Sequence, residues 1–80
     1  YSGEYFMSKI TISHNHNSLK LARIRAGLTQ KELSALSEVP VKTIGNLEQG
    51  RRNINHCRVD IIYRLSSALG CDMLDILNFP

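Results

Sequence analysis

Between Thr29 and Gly50 the chain reads TQKELSALSEVPVKTIGNLEQG, two short runs of helical period meeting at a break, Glu38-Val39-Pro40. The first run opens on a capping box: the Thr29 hydroxyl can accept from the Glu32 amide while the Glu32 carboxylate reaches back to the amide of Thr29. Its apolar residues Leu33 and Leu36 are expected to share an inner face. Proline fits the first turn of a helix, so Pro40 opens the second run, which Gly50 ends. That second run, Val41 to Gln49, keeps only Ile44 and Leu47 as large apolar residues past Val41. A helix this polar is anchored along one narrow stripe and presents the rest of its surface outward.

The remaining chain is read by the same signals. A first helix is predicted from about Ser18 to Ala26, with Ser18 or Asn17 as N-cap and Gly27 as the stop. A basic polar loop, RRNIN, follows Gly50. A fourth helix from about His56 to Leu69 carries Val59, Ile62, Leu65 and Leu69 at helical spacing. Gly70 stops it, and Asp72 caps a short fifth helix at MLDIL. Before Asn17 the pattern changes: KITIS alternates as a strand does, with no partner strand elsewhere in the chain. The expected fold is therefore all-α, with five helices over residues 18–78 and an N-terminal extension over residues 1–17. Met7 is a candidate start, which leaves open whether Tyr1 to Phe6 are native or added.

An 80-residue chain buries only roughly 60% of its unfolded surface, so a single core is expected. It has no long apolar run for a membrane span and no signal-peptide pattern at its start, so a cytoplasmic location is expected. A net charge of +3 and a pI near 9.1 are compatible with a polyanionic partner. Cys57 and Cys71 bracket the run RVDIIYRLSSALG, which as a helix holds them roughly 20 Å apart at about 1.5 Å per residue. A disulfide needs Cα atoms within about 7 Å, so both are expected to be free. His14, His16, His56, Cys57 and Cys71 are the candidate metal ligands, but their spacing fits no zinc pattern. No metal or other cofactor is expected, and no nucleophile–base pair or phosphate loop points to an enzyme.

Two helices across a short turn, the second outwardly polar and followed by basic residues, form a helix-turn-helix layout. The residues GLTQKEL, Val39, Thr43, Ile44, Leu47, Glu48, Gly50 and the later ALG together resemble the Cro/CI-type helix-turn-helix family of bacterial and phage regulators. The resemblance runs from about Ser18 to Leu77 and implies a lambda-repressor-like fold with the second helix of the pair in the DNA major groove. It also implies the roles of individual residues. Val41, Lys42 and Asn46 occupy base-reading positions: lysine can donate to guanine O6 and N7, asparagine can pair with adenine, and valine can touch a thymine methyl. Thr29, Gln30, Thr43, Arg51, Arg52 and Asn53 match phosphate contacts. Arg23 and Glu48 match a structural pair joining the first and third helices.

Three residues depart from the family pattern. Glu38 stands where the turn usually has glycine, Pro40 replaces a capping Ser or Thr, and Gly45 sits inside the reading helix. The expected function is sequence-specific binding of double-stranded DNA as a transcription regulator, with repression the expected sign. The expected assembly is a homodimer on two half-sites, helped by the N-terminal segment and by Leu21 and Ile24, which face away from the core. The alternatives are the antitoxin of a toxin–antitoxin pair, which adds a toxin as partner, and a protein-interaction adaptor that has lost DNA binding.

Overall fold

The structure is a computed structural model and describes residues 17–78. Five α-helices follow in order: α1 (Ser18–Arg25), α2 (Gln30–Ser37), α3 (Val41–Glu48), α4 (Val59–Leu69) and α5 (Met73–Ile76), with a 3-10 turn at Ile54–His56. The described residues contain no strand. The KITIS segment lies outside them.

Local chemistry sets most of the boundaries. Asn17 caps α1 by accepting from the Lys20 amide at 3.0 Å. Thr29 and Glu32 close their capping box over α2 at 3.0 and 2.8 Å. Asp72 and Asp75 form a second box at α5. Gly70 ends α4 at φ +71, a left-handed conformation that costs glycine little. Every element contributes to one core: Leu19, Leu33, Val39, Ile44, Leu47, Ile54, Ile62, Leu65 and Ile76 are all buried. Helix α2 packs on α3 and α4, while α5 closes the space between α1 and α4.

The turn between α2 and α3 carries the one non-glycine residue with positive φ among those described, Glu38 at +62. Left-handed backbone costs an L-residue about 1–2 kcal/mol, and the surroundings hold it there. The Glu38 amide donates to the Ser34 carbonyl at 2.8 Å. The Ser34 hydroxyl donates to the Val39 carbonyl at 2.6 Å. Ser37, itself buried, donates to the Leu33 carbonyl at 2.7 Å and accepts from the Val39 amide at 3.2 Å. Val39 can then drop its side chain into the core with its backbone groups paired.

Four expectations are corrected. Leu36 does not share the inner face of α2, because it is 62% exposed. At about 100° per residue, Ser37 lies about 40° to one side of Leu33 and Leu36 about 60° to the other. The inward stripe is Leu33 and Ser37, and the small serine leaves room for the turn. Helix α4 begins at Val59, not His56, and Val59 is exposed rather than part of the core stripe. The residues before it are not a polar loop throughout, since Ile54 is buried. Nor do they lengthen α4: Asn53 accepts from the Asn55 amide at 2.9 Å and starts a separate 3-10 turn, and Cys57 and Arg58 then run extended. Separately, Cys71 is half-buried. Burial, together with Asp75 and Asp72 nearby, pushes its thiol pKa up. It is free, as is Cys57.

The two leucines of α2 separate core packing from surface exposure. Leu33→Ala should cost about 2–5 kcal/mol, whereas Leu36→Ala should stay within about 0.5 kcal/mol of the parent. Urea unfolding followed by circular dichroism measures both. Equal losses would contradict the inward stripe described for α2.

Candidate nucleic-acid interface

Helix α3 is two turns long, has no side-chain cap at Pro40, and holds a glycine at its fifth residue. A glycine inside a helix costs about 1 kcal/mol against alanine, and a helix this short is unstable in isolation. Its position is therefore set by what it packs against. Ile44 and Leu47 are wholly buried, and Glu48 is buried beside them.

Glu48 does not sit unpaired in that setting. Arg23 of α1 donates to it twice, Nε to Oε2 at 2.6 Å and Nη2 to Oε1 at 3.0 Å. The same guanidinium donates through Nη1 to the Leu28 carbonyl at 2.8 Å. Gln30 of α2 adds a further bond, Nε2 to Glu48 Oε1 at 3.0 Å. The hydrogen bonds to Glu48, with its charge, raise the Arg23 pKa above its ordinary value against the opposing effect of burial. One carboxylate thus joins α1, α2 and α3. Asn17 gives a second tie, its Nδ2 donating to the Leu47 carbonyl at 2.7 Å near the end of α3.

With its acid paired inside, α3 and its C-cap turn Val41, Lys42, Asn46 and Gln49 toward solvent, with Val41, Lys42 and Gln49 exposed and Asn46 half-buried. Thr43 is half-buried on one flank and Gly45 on the other. The chain after α3 folds back on its end: the Arg51 and Arg52 amides donate to the Asn46 carbonyl at 3.0 and 3.3 Å. This brings Arg51 Nη1 to 3.5 Å from Asn46 Oδ1. Arg51, Arg52 and Asn53 are exposed, although the Asn53 side chain is engaged in capping the 3-10 turn. Thr29 is exposed at the start of α2 with its hydroxyl in the capping box. Gln30 is half-buried, with its amide directed at Glu48 and its Oε1 beside Gly45. The outward surface of α3 and the loop after it therefore carries Lys42, Arg51 and Arg52 and no free carboxylate.

Reading the sequence missed two features of this junction. The Gln30–Glu48 bond joins residues far apart in the chain and has no local signature. Asn17 was recognisable as a cap, but its second bond, to the end of α3, was not.

Comparison with known proteins follows the same lines. The helix-turn-helix family profile matches residues 19–76. The chain belongs to the Cro/CI-type helix-turn-helix family. Membership makes it a DNA-binding transcription regulator by family and points away from an enzyme. Among solved structures it is similar to the restriction-modification controller protein C.AhdI from Aeromonas hydrophila. The two share 28% identity with a TM-score of 0.68, over 76% of this chain and 88% of the other. No curated protein matches. Among the described residues no helix is long and apolar enough to cross a membrane.

Removing one partner of a buried ion pair strands the other, so Arg23→Ala should destabilise the domain by about 3–5 kcal/mol. Replacing both members with apolar side chains, as in Arg23→Met with Glu48→Leu, should recover most of that loss. Chemical unfolding of the two single variants and the double variant decides the matter. A double variant no more stable than Arg23→Ala would show that the pair does not act as a unit.

Proposed function

We propose that this helix-turn-helix domain acts as a homodimeric repressor that recognises a two-half-site operator in double-stranded DNA through α3. The observation that carries the reading is the division of α3 into two faces. Its apolar residues and its one acid are buried and paired, which leaves a polar and basic surface facing out. A helix with no base-reading task gains nothing from being so sparsely anchored. Lys42 and Asn46 read base edges, with Val41 positioned for a thymine methyl. Gln30, Thr29, Thr43, Arg51, Arg52 and Asn53 contact the sugar–phosphate backbone and set the register. The similarity to a controller protein supports regulation over an adaptor role. The dimer reading rests on α1, where Leu21 and Ile24 are 41% and 56% exposed. They lie three residues apart, on one side of the helix, and one reading helix covers too few bases to be selective alone.

Lys42→Ala and Asn46→Ala should each weaken specific binding by about 1–3 kcal/mol and relax preference at one base position. Neutralising Arg51 or Arg52 should instead weaken binding to all sequences alike and lower the salt slope by about one. Selection from a random DNA pool, followed by titration of the recovered sites at several salt concentrations, measures both. Unchanged selectivity in both α3 variants would remove α3 from the reading role.

The dimer has its own check. Leu21→Lys with Ile24→Lys should convert a dimer to a monomer in sedimentation equilibrium while the circular dichroism spectrum stays the same. A parent protein already monomeric at tens of micromolar would refute a dimer formed through α1.

A further inference from the structure

Gly45 has no structural reason to be glycine. It lies within α3, and its φ is not in the left-handed region that favours glycine. A Cβ added there would meet one atom within 4 Å, Gln30 Oε1 at 3.8 Å, which is an ordinary contact. The domain thus keeps a residue that weakens a short helix where its own packing would accept alanine.

Its position on the helix suggests what the gap is for. At about 100° per residue, the outward stripe of α3 is centred on Lys42, Asn46 and Gln49. Gly45 lies about 60° to one side of Lys42, on the flank toward Gln30. A helix lying in the major groove turns its central stripe to base edges and its flanks to the two sugar–phosphate walls. The fit is tight, because a helix with its side chains is about 10–12 Å across and the groove is about 12 Å wide. One bare flank changes how deeply and at what lateral position the helix can seat.

We propose that Gly45 is a positioning residue for DNA recognition: a notch on the Gln30 side of α3 that admits the sugar–phosphate wall of one strand and lets Lys42 and Asn46 reach the bases. This rests on the reading of α3 as the recognition helix. The notch receives a backbone, so what it controls is seating common to all sequences and not preference for one base. The Gln30 carboxamide borders it, held in place through Glu48.

The test is a size series at this position, Gly45→Ala and Gly45→Leu, with Lys42→Ala beside it. Both replacements are better helix formers than glycine, so the melting temperature should rise, by about 4–8 °C for Gly45→Ala. Affinity for the selected operator should fall about tenfold with Ala and further with Leu, as expected when a close contact is overfilled. The ranking of single-base operator variants should stay the same. A more stable Gly45→Ala protein that binds as tightly as the parent overturns the proposal. So does a Gly45→Ala protein that is less stable than the parent, because the glycine would then serve internal packing. A loss confined to one base position overturns the assignment to the backbone. If Lys42→Ala leaves selectivity unchanged, the reading of α3 fails instead; if Lys42→Ala relaxes selectivity and Gly45→Ala binds normally, only the notch fails.

Discussion

The arrangement depends on one carboxylate that the fold takes inside and pairs. Glu48 is buried at the end of α3, and an unpaired acid there would be costly to the fold. Arg23 meets it with two parallel hydrogen bonds, a geometry that the planar guanidinium supplies and lysine does not. Gln30 binds the same oxygen that Arg23 Nη2 contacts. Because these residues come from α1 and α2, satisfying the charge requires all three helices to be placed together. A buried ion pair is weak evidence for extra stability, since an apolar replacement often does as well. What it supplies is direction: hydrocarbon side chains can slide over one another, whereas a bidentate pair permits little change of angle.

A second constraint works through the turn. Glu38 adopts a conformation that disfavours any residue with a Cβ, and it is held there by bonds involving Ser34 and Ser37. Val39 completes the turn by filling the core between α2 and α3. The strain at Glu38 is of the same order as the cost of Gly45, about 1 kcal/mol each. Both occur within the helix-turn-helix itself. A small domain has little stability to spare, so two such losses in one motif require compensation from the rest of the core.

Local signals were the most legible. The Thr29–Glu32 box, the Asp72 cap and the glycine stops depend on neighbours within four residues, and the structure places them where the sequence indicates. Periodicity was less dependable on helices of two turns. Leu33 and Leu36 both fit a generous apolar stripe, but a stripe only one leucine wide selects between them by packing, which no local pattern encodes. Ile54 was hidden for a related reason: a lone isoleucine among Arg, Asn and His reads as a loop, and only the distant core surface it fills makes it structural. Its burial also accounts for the later start of α4, since the chain must tuck in before the helix can begin. At the site, resemblance to a family pointed to Arg23 and Glu48, whereas spacing alone could not have joined residues 25 positions apart. The Gln30 bond to Glu48 emerged only with three-dimensional placement.

These facts imply a separation of tasks within α3. An eight-residue helix with an internal glycine and no side-chain cap has too little intrinsic stability to hold its own shape in water. Its conformation is imposed through Ile44, Leu47 and Glu48, all on one side. The opposite side contributes almost nothing to the core, so its residues are free to change without unfolding the domain. Substitutions at Lys42 or Gln49, both exposed, come at little structural cost, while substitutions at Arg23, Glu48 or Leu47 disturb where every outward residue points. An outward surface that can vary on a support that cannot lets one helical scaffold carry many different outward faces.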